Sequence, residues 1–203
     1  GGGIVVDAII CASGGWESDP SPISAKAWGE TMDKMLQMNL YPVMAAGQVA
    51  NEYMAKEGLF VAIGAMAAVA PTPGMAAYGA AKAATHQYIQ TLGASSGLGI
   101  GHNAIRKEAR RLRKNSPYLD DLTAVAILPT MIDTPSNRKF ATPKDDFNAW
   151  TKPIDIAEEI GTWIAQPYLR PSSGSLVKVF PPRLHKDENG DEKWGKSTFG
   201  LVR

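Results

Sequence analysis

Tyr78 and Lys82 stand four residues apart in the run Thr72-Pro73-Gly74-Met75-Ala76-Ala77-Tyr78-Gly79-Ala80-Ala81-Lys82. On a helix that spacing puts both side chains on one face, one turn apart. A phenol ordinarily titrates near ~10, and a neighbouring ammonium favours its ionised form, so such a pair suits proton transfer near neutral pH without a histidine. The same spacing also describes an ordinary surface pair. The setting favours chemistry, because Tyr78 lies thirteen residues beyond Ala65, the end of a buried strand read from Leu59.

Other chemistries find little support. The 203 residues include one cysteine, Cys11, and three scattered histidines, His86, His102 and His185. A disulfide framework and a zinc module are both excluded by those numbers and spacings. With 21 basic and 20 acidic side chains the net charge is +1, which gives no broad field for gripping a nucleic-acid backbone, so no nucleic-acid partner is expected. The longest apolar run, Leu59 to Ala70, has twelve residues. A membrane helix needs roughly 20, so no membrane partner is expected either. Gly1-Gly2-Gly3 followed by Ile4-Val5-Val6 has no basic start and no small-residue cleavage site, so a cytoplasmic location is expected.

The elements that must carry Tyr78 and Lys82 read as strands alternating with helices. Ile4 to Ala12, Leu59 to Ala65, Leu122 to Leu128 and Leu176 to Phe180 are apolar segments bounded by glycine or proline, as expected of buried parallel strands. Between them, a helix capped by Ser24 begins near Lys26, and its pattern resumes after Pro42 from Val43 to Met54, up to a stop at Lys56-Glu57-Gly58. Met75 to Leu92 is an alanine-rich helix, either packed closely on a neighbour or simply rich in a good helix former. Pro153 to Ala165 is a short helix with proline in its first turn. The alternation predicts an α/β fold with a parallel sheet covered on both faces. Ligands of such sheets gather beyond the strands' carboxyl ends, here just after positions 12, 65, 128 and 180.

At this point the sequence resembles the short-chain dehydrogenase/reductases, and more narrowly the dihydropteridine reductases. The resemblance rests on Cys11-Ala12-Ser13-Gly14-Gly15-Trp16, the TPGM-x-x-YG-x-AK run, Leu128-Pro129 with Asp133-Thr134-Pro135-x-Asn137-Arg138-Lys139, Trp150-Thr151, and Arg170-Pro171-Ser172-Ser173-Gly174-Ser175-Leu176. These are collinear over most of residues 4 to 180. The resemblance implies an enzyme using NADH or NADPH to reduce quinonoid dihydropterin to tetrahydropterin, and a homodimer formed through long helices. It assigns Tyr78 as proton donor and Lys82 to the nicotinamide ribose and to lowering the tyrosine pKa. Ala12, Ser13 and Gly14 are implied to pack beside the cofactor, and Pro129, Thr130 and Thr134 to approach the nicotinamide. Trp16 and Trp150 are implied as walls for the flat pterin, with ordinary core or lid packing the alternative for each.

Departures from the family pattern shape the expectation. Most short-chain reductases carry a serine thirteen residues before the tyrosine; here that residue is Ala65, as in dihydropteridine reductases. Asn39 falls where the wider family carries a helix asparagine, and is expected here to cap or to face solvent. The family's opening strand, glycine-rich turn and pyrophosphate-binding helix have no counterpart before Ile4, so the expected fold is a partial Rossmann-like doubly wound sheet without its N-terminal strands. Such a chain is expected to be inactive as it stands, with its first strand an apolar edge. A degenerate reductase serving as a non-catalytic interaction or dimerisation module is the alternative. Residues 1–182 are read as this partial domain, with a basic insertion at 99–121 in which Arg106 to Lys114 holds six basic residues in nine. A charged tail at 183–203 follows, turning at Asn189-Gly190.

Overall fold

The structure is a computed structural model, and it describes residues 5–22, 24–95 and 122–202. The basic insertion, His102 and the opening glycines lie outside the described residues.

The described chain begins with strand β1, Val6–Cys11. Helix α1, Ala25–Asn39, starts where Ser24 caps it, the serine oxygen accepting the Ala27 amide. Leu40 separates α1 from α2, Tyr41–Tyr53, whose first turn contains Pro42. Strand β2 runs Met54–Ile63. Helix α3, Ala76–Ser95, carries Tyr78 and Lys82. Then come β3, Thr123–Leu128, the short helix α4, Pro135–Arg138, and α5, Pro153–Ala165. Strands β4, Ser175–Phe180, β5, Leu184–Lys186, β6, Glu192–Trp194, and β7, Thr198–Leu201, complete it.

β1, β2, β3 and β4 lie side by side in that order, all parallel, with β7 antiparallel on the outer edge of β4. Apolar side chains alternate between the two faces, as strand geometry requires. Phe60, Ala62, Ala124, Ala126 and Leu128 pack with Val43 and Ala50 of α2 and Ile89 of α3, while Leu59, Val61, Val125 and Ile127 pack with Ile156, Ile160 and Trp163 of α5. The sheet is therefore covered on both faces, as the continuous apolar strands predicted. No described helix is long and apolar enough to cross a membrane.

The fold departs from the sequence reading at three places. Strand pairing starts at Met54, five residues before the strand read from Leu59, and the ladder crosses Glu57 in the left-handed region (φ 59°) beside a register break between Val6 and Ala8 of β1. The 183–203 tail is no appendage: its end adds β7 to the sheet, and Asp155 of α5 accepts the Ser197 amide at 2.9 Å. The alanines of α3 settle the open alternative there, since Ala77 and Ala81 are buried against Met35 of α1.

Candidate active site

β1, β2 and β3 end together at Cys11, Ile63 and Leu128, and the loops that follow β1 and β2 meet the start of α3. Asp19, in the loop after β1, closes that helix from a distance: its carboxylate accepts the Ala76 amide at 2.9 Å and reaches the Ala77 amide at 3.4 Å. A carboxylate at a helix N-terminus satisfies free amides and complements the dipole. It also ties the loop of Gly14 to Trp16 to the start of the Tyr78 helix.

Lys82 is almost fully buried, and its Nζ donates to the Ile63 carbonyl at 2.7 Å. Burial lowers its pKa to about 8, with the Cys11 sulfur opposing that shift. Gly14 lies directly against it: a Cβ there would sit 3.1 Å from Lys82 Nζ and 3.2 Å from Asn39 Oδ1. A side chain at position 14 would therefore crowd the ammonium. Ser13 Oγ is 3.2 Å from Cys11 Sγ, and Ala12 is exposed beside it.

Tyr78 is half-buried on the same face of α3, packed against Met35, Ala77 and Ala81. Its pKa is raised by burial. This corrects the expectation that Lys82 lowers it: the ammonium is bound to the Ile63 carbonyl, and desolvation of the phenol dominates. A phenol so shifted is protonated at neutral pH, the form a proton donor must hold.

Asn39 also overturns its expectation. It is 0% exposed, its Oδ1 accepts the Gly15 amide at 3.1 Å, and its Nδ2 donates to the Gly15 carbonyl at 3.0 Å and to the Met35 carbonyl at 3.0 Å. The asparagine clamps both polar groups of one residue in the glycine loop, as a solvent-facing side chain does not. Its own carbonyl accepts from Thr85 Oγ1 of α3 at 3.0 Å, which locks α1 to the Tyr78 helix.

Trp16 is 41% exposed, with Nε1 3.3 Å from Met75 Sδ and its ring edge-on to Phe140 at 5.1 Å between centroids. Phe140 was not foreseen, and nothing in its local sequence pointed to it. It stands just beyond α4 on a segment anchored by Asp133, whose carboxylate binds both Arg138 (Nη2 at 2.9 Å) and Lys152 (Nζ at 2.7 Å). Those two cations hold the Asp133 carboxyl well below the usual carboxylate range. Pro129 is buried, its carbonyl accepting the Met66 amide, and Thr130 beside it is exposed. Thr134 caps α4, its Oγ1 accepting the Asn137 amide at 3.2 Å. Trp150 is 7% exposed and packs edge-on against Phe147, so it offers little surface to a ligand, in contrast to Trp16.

A mostly parallel sheet covered on both faces, with a tyrosine and lysine at the carboxyl ends of its strands, is the architecture of the nucleotide-binding α/β oxidoreductases. The family model of the short chain dehydrogenases matches residues 5–107, and the chain belongs to that family. A dihydropteridine reductase of Dictyostelium discoideum is 35% identical over 175 residues, which is 86% of this chain and 66% of the relative. The chain thus spans about two thirds of that relative's length. Among solved structures, a short-chain dehydrogenase of Burkholderia cenocepacia in complex with NADP is similar, with TM-score 0.59 and 20% identity, covering 86% of this chain and 64% of that one. So is a 7α-hydroxysteroid dehydrogenase complexed with NADH and 7-oxo glycochenodeoxycholic acid, with TM-score 0.60, 18% identity and 86% and 62% coverage. These structural likenesses establish the fold.

Proposed function

We propose that this chain belongs to a dihydropteridine reductase, which reduces quinonoid dihydropterin to tetrahydropterin with NADH or NADPH. The observation that carries the reading is the 35% identity to a dihydropteridine reductase, sustained over 86% of the chain. Ala65 adds support, because a reductase of the wider family places a serine hydroxyl there and this chain has none to offer a carbonyl substrate.

One observation supports a nicotinamide nucleotide here: Gly14 has no side chain to crowd the Lys82 ammonium, which a Cβ would approach to 3.1 Å. In this reading Lys82 would hold the nicotinamide ribose hydroxyls. Ala12, Ser13, Pro129, Thr130 and Thr134 would line the remainder of that end. A bound reduced nicotinamide supplies a hydride to the pterin. Tyr78 holds the balancing proton on its phenol oxygen, kept there by burial until the substrate accepts it. Trp16 offers a half-exposed aromatic face for a flat heterocycle, and Trp150 packs behind Phe147. A second copy of the chain packing along the helices belongs to this reading, as does a cytoplasmic setting. Exposed Trp28, Met38, Tyr41 and Met44 on α1 and α2 are in keeping with such packing.

The test is Tyr78→Phe in the full-length protein, read by NADH oxidation with dihydropterin. Removing only the hydroxyl is expected to lower kcat by about 10²–10⁴-fold while leaving the melting temperature and NADH affinity near those of the parent. Turnover within about twofold of the parent removes Tyr78 as the donor. A folded parent that oxidises no NADH refutes the reductase reading as a whole.

A further inference from the structure

His86 stands one turn beyond Lys82 on α3, almost completely buried, and the proton transfer described above does not use it. Its surroundings explain why a histidine is there. The β1/β2 ladder ends at the pair Cys11 and Ala62. β2 itself ends one residue later, at Ile63, but the chain runs on beside β3 through Met66, and its backbone groups still alternate between the two sides. The amides of Gly64 and Met66 turn toward β3, donating to the carbonyls of Ile127 at 2.7 Å and Pro129 at 3.0 Å. The Ile63 carbonyl and the Ala65 amide turn the other way, where β1 has already stopped. Both are buried or nearly so, and a polar backbone group left unpaired in such a place is costly. Helix α3 supplies the missing partners: Lys82 Nζ takes the Ile63 carbonyl at 2.7 Å, and His86 Nε2 accepts the Ala65 amide at 3.1 Å.

The fit is close. A Cβ on Gly64 would lie 2.5 Å from His86 Nε2, so the ring reaches the Ala65 amide because the residue before it is glycine. Accepting that amide also fixes the ring's state, because the accepting nitrogen must be unprotonated and the ring's single proton then sits on Nδ1. The ring faces the Gly64–Ala65 peptide just beyond β2, and the charge that acts on it is Lys82 on its own helix. Burial first, and the Lys82 charge second, lower the His86 pKa to about 4, so the neutral acceptor persists through the physiological range.

We propose that His86 is a positioning residue for the Tyr78–Lys82 pair: by accepting the Ala65 amide through Nε2 it fixes the end of β2 to which the Lys82 ammonium is bound. Ala65 is the position at which the wider family carries a serine side chain, so in this chain the backbone there is set by a histidine on the facing helix. The inference rests on the reductase reading for its kinetic readout alone.

The experiment uses the full-length protein with His86→Leu and His86→Gln, the latter carrying a side-chain oxygen near the place of Nε2. In the parent, ¹⁵N spectra of the imidazole are expected to show a neutral ring with Nε2 accepting and no titration down to about pH 5, where an ordinary histidine is charged. The Ala65 amide is expected to exchange slowly in the parent and in His86→Gln, and faster by about tenfold or more in His86→Leu. The leucine variant is expected to lose about tenfold or more in kcat with the dihydropterin KM little changed, and the glutamine variant to recover most of that loss. An imidazole titrating near ~6.5 overturns the proposal. So does Ala65 exchange that is the same in all three proteins, or a folded leucine variant with the parent's kcat. A parent without reductase activity refutes the proposed function, and in that event the ring titration and the Ala65 exchange decide the His86 assignment by themselves.

Discussion

Replacing Asn39 by alanine separates the structure's account of this residue from the solvent-facing role its sequence suggested. The side chain makes three hydrogen bonds, two to Gly15 and one to the Met35 carbonyl, and has no exposed surface. A buried intramolecular hydrogen bond contributes about 1 kcal/mol net, so the three together contribute about 3 kcal/mol. Gly15 is only half-buried, and water reaching its amide and carbonyl in the variant recovers part of that, leaving an expected loss of about 2 kcal/mol. For a domain of this size such a loss lowers the melting temperature by about 4–8 °C. Urea unfolding followed by circular dichroism measures it, with a midpoint shift at unchanged slope as the expected form. The consequence is local as well, because Gly15 is the link between Gly14 and Trp16. Its release is expected to loosen the Trp16 contact with Met75 and red-shift the tryptophan emission. A loss below about 0.5 kcal/mol, the range of an ordinary surface substitution, refutes this reasoning and returns Asn39 to solvent.

Gly93→Ala is expected to destabilise by about 3 kcal/mol, since its Cβ would sit 2.0 Å from the Gly174 amide nitrogen and only a backbone shift between α3 and the turn before β4 makes room; a thermal melt checks it, and an unchanged midpoint would mean that the two segments separate freely. Stability is also expected to rise with pH between about 8 and 10. Lys82 titrates near 8 in the native protein and 10.5 unfolded, so in that window the unfolded chain binds the extra proton and each pH unit adds up to about 1.4 kcal/mol. Urea unfolding at two pH values inside the window measures the slope, which should vanish in Lys82→Met, and a parent whose stability is flat there contradicts the burial of the ammonium.

Most of the fold was readable because its signals are periodic and local. Apolar runs punctuated by glycine and proline gave β3 and β4 within a residue and the end of β2 within two, and the Ser24 cap and Pro153 first turn gave the starts of α1 and α5. The early start of β2 at Met54 was not readable, since its pairing runs through Glu57 in a left-handed conformation that a non-glycine residue seldom takes. Nor was the placement of Thr198–Leu201 against β4: four residues with one large apolar side chain exposed and one half-buried carry no strand pattern of their own, and their order comes from the β4 edge and from Asp155.

The candidate site divides along a different line. Tyr78 and Lys82 are separated by one helical turn, so their spacing alone reports their common face. Asn39, Asp19 and His86 act on backbone groups 24, 57 and 21 residues away, and backbone amides and carbonyls carry no residue-specific signal. Each of these three partners becomes necessary only where a regular ladder stops: Gly15 after β1, the free amides at the start of α3, and Ala65 after β2 has outrun β1. For His86 one clue was available, its position four residues after Lys82 on the same helix face. If Tyr78 and Lys82 face the strand ends, the next residue on that face faces them too, and a buried polar ring there must find a partner. That partner, the Ala65 amide, is free to take it because β1 ends at Cys11, and so the length of one strand determines which side chain is needed on a helix more than 70 residues later.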